Sequence, residues 1–276
     1  MSVVEFLSAN LSTLTALLAT GAFAGVLAGL LGVGGGIVIV PVLFFLFQGF
    51  GVSPESAMLV ATATSLATIV PTSISSIRSH QRNGNVDFGL LKTWVGFVFA
   101  GVLVGSGLVT RIDGNWLVVL FGVIATLAAL NMLFRTGKSA LFTQLPSRLG
   151  QSAMAIATGF FSVMVGIGGG TITVPLLTLY NYPVHKAVGT AAAIGLVISL
   201  PGTLALLLLA ETPSDAPVGT MGMVNVIGFA CIVPLTVLCA PIGAALAVKL
   251  DSARLKKVFA VVLLITGLRM LLELGS

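Results

Sequence analysis

Read for its hydrophobic and polar positions, the chain is a succession of apolar runs separated by short polar or glycine-rich breaks. The runs fall at about 11–32, 37–48, 55–77, 90–110 and 115–135, and again at 149–166, 171–181, 187–210, 222–247 and 255–274. Residues 56–77 hold no charge at all, and a run of that length can cross a hydrocarbon core of about 30 Å. Short alternating segments, as in a transmembrane barrel, are missing. Each run is therefore predicted to be a helix, which satisfies its own backbone in lipid. Two breaks stand apart. GVGGGIVIVP at 32–41 sets four glycines in five positions, and GIGGGTITVP at 166–175 repeats the pattern.

Composition turns these helices into a membrane protein. Only 8% of the 276 residues are charged and 57% are hydrophobic. A soluble domain carries about 25% charged residues to cover its surface. The net charge of +5 is no signal for nucleic acid, because the cations sit in short loops between apolar runs, where they set orientation. Cys231 and Cys239 share one apolar run and read as packing residues rather than a disulfide or metal pair. The first residues, MSVVEFLSANLSTL, lack the basic region of a cleavable signal. No cofactor is expected.

The chain repeats itself. Gly34–Gly36 and Gly168–Gly170 are separated by 134 positions, as are Gly25 and Gly159, Gly32 and Gly166, and Pro41 and Pro175. Thr62 in VATATS and Thr190 in VGTAAA follow. Gly84-Asn85-Val86-Asp87 then matches Gly222-Met223-Val224-Asn225 at an offset of 138, which persists through Gly105/Gly243, Asp113/Asp251, Phe121/Phe259 and Met132/Met270. Two similar halves are expected, 1–137 and 138–276, each with five helical segments.

Equivalent loops differ in charge. Loop 78–92 holds Arg78, His80, Arg82 and Lys92, whereas its partner at 211–220 holds Glu211 and Asp215. Loop 249–257 holds Lys249, Arg254, Lys256 and Lys257, whereas its partner near 111–115 holds Arg111 and Asp113. His185 and Lys186 stand opposite Glu55. Under the positive-inside rule the equivalent loops lie on opposite faces, so the repeat is inverted. Placing both termini outside puts Arg78, Arg82, Lys92, Arg135, Lys138, Arg148, Lys186, Lys249, Arg254, Lys256 and Lys257 inside, and only Arg111 and Arg269 outside. A four-plus-four arrangement would put the cations of 249–257 outside and is rejected.

Segment 171–181 reaches only about 16 Å as a helix. With the run before it, it is expected to form a hairpin whose glycine turn lies within the membrane, and 11–32 with 37–48 to do the same from the other face. Broken backbone at that depth is tolerated where it is buried in protein or lines a wet cavity. Gly34, Gly35 and Gly36, and Gly168, Gly169 and Gly170, would then offer amides at positive helix ends, an anion cradle. Inverted-repeat transporters build midplane sites of this kind. Glycines that merely permit close helix packing are the other reading. Thr62, Ser65 and Thr190 are candidate hydroxyl ligands. A stripe of Thr62, Ser65, Thr68 or Ile69, Thr72 and Ser76 shares one helical face and either lines a path or serves as interhelical glue. Arg78, with His80 beside it, either draws anions to the cytoplasmic mouth or fixes topology. Glu55, Asp87, His80 and His185 are possible proton carriers for a coupled transporter, each near a segment end.

GAFAGVLAGLLGVGGGIVIVPVL at 21–43, ATGFFSVMVGIGGGTITVPLL at 157–177, VGTAA at 188–192, HQRNGNVD at 80–87 and the closing stretch 240–271 resemble the TauE/SafE family of sulfite exporter-like permeases. The resemblance covers nearly the whole chain. It implies movement of a small sulfur-containing anion such as sulfite, sulfoacetate or another sulfonate, often as export coupled to an ion gradient, in a bacterial inner membrane. Where members of the family commonly show a Gly-Thr-Ser-like triplet, this chain has Ala61-Thr62-Ala63, and Ala191 follows Gly189-Thr190. A passive channel or an uptake permease for a related anion is the alternative. An intramembrane enzyme is disfavoured, since no metal-spaced cluster or Ser–His pair lies within an apolar run.

Overall fold

The computed structural model describes residues 11–32, 34–134, 142–249 and 252–273. The expected boundary at 137/138, and Arg135, Lys138 and Asp251, lie outside them. Ten helices are found among the described residues: α1 (Leu11–Leu31), α2 (Gly36–Gly49), α3 (Pro54–Arg82), α4 (Phe88–Val109), α5 (Gly114–Phe134), α6 (Arg148–Val165), α7 (Gly170–Leu179), α8 (Val184–Leu208), α9 (Val226–Lys249) and α10 (Ser252–Glu273). Each expected run is one helix. Six are long and apolar enough to cross a membrane, which makes this a multi-pass membrane protein. Two details differ from the sequence reading. Helix α3 continues past residue 77 to Arg82, so Arg78 and His80 are helical and not in a loop. Residues Thr220–Met221 and Val224–Asn225 form a two-stranded antiparallel hairpin, β1 and β2, ahead of α9.

Local chemistry fixes the helix starts. Pro54 sits in the first turn of α3, and the Ser53 side chain accepts the Ser56 amide at 3.3 Å. Asp87 caps α4 by accepting the amides of Gly89 and Leu90 at 2.9 and 3.0 Å. Asn225 Oδ1 does the same for α9 at the Gly228 amide, 2.8 Å away. Each cap satisfies a first-turn donor that no helical carbonyl can reach.

The helices pair through small residues. Helix α1 lies along α9, α4 along α6, α5 along α10, and α3 along α8. On α1, a methyl group at Gly21 would come 2.6 Å from the Ile232 carbonyl oxygen, and one at Gly29 would run into the Ala240 carbonyl. Gly101 and Gly159 meet the opposing backbones of α6 and α4 in the same way, at Ile156 and Val98. Lipid offers no hydrophobic gain for helix association, so such close backbone approach is what holds the pairs.

Contacts at the two ends sort the loops. Ser53 and Ser56 meet Asp215, and Gly114 packs on Glu55. The α2–α3, α4–α5 and α8–α9 connections therefore share one end. At the other end Asp87 meets Tyr182, Gly189 packs on Asn85, and Phe142 stacks on Tyr180 at 4.9 Å. That end gathers the α3–α4 and α7–α8 connections and the chain leading into α6. Helix α2 finishes at the same end at which α1 starts, where Thr13, Leu17, Phe47 and Phe50 line one cavity. Helix α7, only ten residues long or about 15 Å, finishes at the end from which α6 departs. Each glycine break is thus the tip of a hairpin.

Replacing Gly29 with Ala should cost at least about 1–3 kcal/mol through overpacking against α9, read as a lower apparent melting temperature in detergent. Gly96→Ala on α4, where nothing lies within 4 Å, should be neutral or slightly stabilising.

Candidate functional site

The two glycine triplets adopt different backbones. Gly34 and Gly35 are left-handed, with φ of 73° and 79°. Gly35 is the N-cap of α2, and its carbonyl receives the first helical amides, Val38 at 3.0 Å and Ile39 at 3.2 Å. In the second triplet Gly169 is right-handed with φ −52°, and its carbonyl accepts the Thr173 amide at 2.8 Å. Gly166 is left-handed at φ 70°, as its counterpart Gly32 is at 65°, and the two breaks part only at the residues that follow. Only glycine takes such φ values without strain. In both cases the amides just ahead of the first helical hydrogen bond point away from a short helix at its positive end.

The corners meet inside the protein. A methyl group on Gly34 would lie 3.3 Å from Gly168 Cα, and one on Gly36 would lie against the Gly166 carbonyl oxygen and 2.9 Å from Ser65 Oγ. Ser65 donates its hydroxyl to the Gly166 carbonyl at 2.7 Å. Gly166 itself rests on the backbone of Thr62, 2.7 Å from Thr62 Cα by the same measure. Gly34, Gly36, Thr62, Ser65, Gly166 and Gly168 therefore form one cluster between the hairpin tips and α3, all of them buried. The Thr62 hydroxyl is fully buried and makes no hydrogen bond among the described residues.

Other expected residues sit apart from that cluster. The Thr190 hydroxyl accepts the Asp87 amide at 2.9 Å, at the start of α4. His80 is 2% exposed, with Nε2 at 2.9 Å from the Gly29 carbonyl oxygen, and so bridges α3 to α1. Arg78 is exposed near the same end of α3. Along the hydroxyl stripe, Thr68 donates to the Ser65 carbonyl and Thr72 to the Thr68 carbonyl, both at 2.7 Å. Thr72 also meets Thr236 Oγ1 at 2.8 Å. These two act on their own helix and on α9.

Residues 17–270 match the family model described as Sulfite exporter TauE/SafE. The chain belongs to the TauE/SafE family. A "Probable membrane transporter protein" of Haemophilus influenzae is 29% identical over 93% of this chain and 97% of its own length. One of Methanocaldococcus jannaschii is 29% identical over 93% and 94%, and YunE of Bacillus subtilis, named in the same words, 25% over 93% and 97%. No solved structure matches. Relatives named as membrane transporters fit a non-enzymatic role for this TauE/SafE chain.

Two surface cavities of about 330 Å³ each lie away from the glycine cluster. The first is walled by Phe47, Phe50, Asn225 and Asp215, and the second by Phe44, Asn115 and Glu273. Each presents a carboxylate, so neither suits an anion. The glycine corners present amides and hydroxyls instead.

Sequence reading missed the clamps that tie the ends. At one end Asp215 accepts the Ser53 amide at 2.8 Å and the Ser56 hydroxyl. At the other, Tyr182 donates its hydroxyl to Asp87. The only signal was the matched pair GNVD and GMVN, which marks both helix caps but not their distant partners. Donation from Tyr182, then from the Leu90 amide, holds Asp87 below the usual carboxylate range. Burial, then Asp87, pushes the Tyr182 hydroxyl up. Donation by the Ser56 hydroxyl and the Ser53 amide holds Asp215 down at about 2. A depressed carboxylate stabilises the fold above its unfolded pKa, and that contribution is lost as pH falls through the folded value. Asp215→Asn should therefore lower the apparent melting temperature at pH 7. The gap to wild type should shrink below about pH 4, the ordinary carboxylate range, and close as pH nears 2. A gap that stays constant over that range would show the carboxylate charge to be irrelevant to the clamp.

Proposed function

We propose that this chain carries a small sulfur-containing oxyanion, such as sulfite or an organosulfonate, across a bacterial inner membrane by alternating access between two inverted halves. The observation that carries the reading is the meeting of two glycine corners, one from each hairpin, in a buried cluster of amides and hydroxyls without a full charge. A sulfur oxyanion has several acceptor oxygens that short N–H and O–H donors can share. Neutral donors bind it without the tight hold of an arginine, and transport requires release. Membership of a family described as sulfite exporters supports an anion of the sulfur class.

The pairing of helices supports the inverted repeat. Exchanging α1–α5 for α6–α10 turns the α1–α9 pair into the α6–α4 pair and leaves α5–α10 and α3–α8 unchanged. Gly32 packs on the Val188 carbonyl as Gly166 packs on Thr62, and Thr190 accepts the Asp87 amide as Thr64 accepts the Asn225 amide at 2.8 Å. These pairs favour a register of 126 between α3 and α8, which matches Thr190 with Thr64 rather than Thr62. Hairpins that rise from opposite ends to a shared midpoint fit alternating access around a fixed site. The cation distribution argues for the Asp87–Tyr182 end as cytoplasmic and for both termini outside. The two clamps join one half to the other at opposite ends, as gates that open in turn. Protons are the proposed coupling ion.

Purified protein in proteoliposomes should move labelled sulfite or sulfoacetate, accumulate it against its gradient when a proton gradient is imposed, and lose this in correctly folded Gly35→Leu and Gly169→Leu variants. Flux without accumulation would make the protein a channel, and unchanged transport in both variants would remove the glycine corners from the mechanism.

A further inference from the structure

The two corners are not equivalent as seats for an anion. A Cβ placed on Gly195 of α8 would lie 3.2 Å from Ser73 Oγ and 3.6 Å from the Gly169 amide nitrogen. Ser73 is 1% exposed, and its hydroxyl has no hydrogen-bond partner among the described residues. Gly169 is the N-cap of α7, a ten-residue helix, whose first-turn amides lack helical acceptors and carry the positive end of its dipole. An unpaired buried donor and a helix N-terminus thus converge on a glycine face, in space that a methyl group would fill. Ile194 Cγ2 and Ile198 Cδ1 border the spot, 2.9 and 3.1 Å from where a Cβ on Gly169 would stand.

At the other corner a side chain stands where α8 has the bare Gly195. In the register of 126, Gly195 corresponds to Ile69. The Ile69 side chain comes 3.1 Å from the Cβ position of Gly34 and 2.9 Å from that of Gly36. Ser65, beside it, spends its hydroxyl on the Gly166 carbonyl, and Ser199, the counterpart of Ser73, is also buried with no hydrogen-bond partner among the described residues, so the difference between the corners is the Ile69 side chain in place of Gly195.

We propose that the anion binds at one corner only, held by Ser73 Oγ and the amides at the start of α7 against the bare face of Gly195, while Ile69 plugs the other corner. The assignment rests on the anion-transport reading above and narrows it to one seat. Ser73 belongs to α3 and Gly169 and Gly195 to α7 and α8, so a bound oxyanion bridges the two halves. Moving one half against the other separates the donors and releases it. The flanking isoleucines keep water from competing for those donors and accept the non-oxyanion side of a sulfonate.

The test measures the affinity of the purified full chain in detergent for sulfite and for sulfoacetate by calorimetry, alongside the melting temperature without anion. Ser73→Ala should weaken both anions about tenfold, the worth of one hydrogen bond to a charged group. It should not lower the melting temperature, because the hydroxyl removed has no partner to lose. Gly195→Ala adds a helix-favouring methyl group in the seat itself and should abolish binding in a protein that still folds. Ile69→Ala should leave affinity unchanged. Wild-type affinity in both Ser73→Ala and Gly195→Ala overturns the seat while leaving the transport reading intact. Loss of binding in folded Ile69→Ala overturns the single-corner assignment. A wild-type protein that binds neither anion overturns the transport reading and the seat together.

Discussion

Peptide groups that leave a helix inside a membrane must find partners in protein, because lipid offers none. Among the described residues, α1 and α2, and again α6 and α7, are joined by glycine breaks buried in protein, and the rest of the architecture accommodates the consequence. Each tip is pressed against backbone as well as side chains: Gly32 on Val188, Gly166 on Thr62, Gly36 on Gly166 and Ile69. Contacts that close exclude any side chain, so the glycines are required by packing as well as by conformation. Of the two roles weighed for these residues, packing is what these contacts show, and amide presentation belongs to the proposed function. A tip buried tightly enough to be stable also leaves its first-turn amides facing protein instead of water.

Much of the fold could be read from the sequence because its determinants are local. Ten apolar runs, the glycine breaks and the loop charges are each short-range features, and each run became a helix. Errors came where the outcome depends on a distant partner. The end of α3 could not be placed at Arg82 because nothing near residue 77 announces that His80 will be buried against Gly29 of α1. Thr62 and Thr190 looked equivalent by local resemblance, yet their hydroxyls differ: one is unpartnered beneath Gly166 and the other receives Asp87. Identical triplets adopt different φ values, since tertiary packing, not the glycine run, selects among the conformations that glycine allows.

The site residues were partly legible for the same reason. Gly34, Gly36, Gly168, Thr62 and Ser65 come together because the triplets start helices and the hydroxyls lie on one face of α3. Ser73 and Gly195 carry no motif. Their juxtaposition appears only once α7 is packed on α8, when a hydroxyl and a missing side chain turn out to lie beside the same amide. The Asp87 and Asp215 clamps likewise join loops 95 and 159 residues apart, beyond the reach of any periodicity argument.

An inverted repeat whose halves were identical would bind its anion twice or on the pseudo-axis, and its inward and outward states would be alike in energy. Divergence at Ile69 and Gly195 changes that balance. With Ile69 at one corner and a bare Gly195 at the other, the proposed donors to an anion come from the start of α7 and from α3. On that proposal the anion would hold the two halves in a single relation, and without it the Ser73 hydroxyl has no partner among the described residues. Burying such a group costs about 1–3 kcal/mol, a cost that the occupied state recovers through its hydrogen bond to the oxyanion. Under the proposed mechanism, that difference biases which conformations the loaded and empty protein occupy. It does so through a neutral side chain at the centre, while the charged groups stay at the two ends, where Asp87 and Asp215 already have partners.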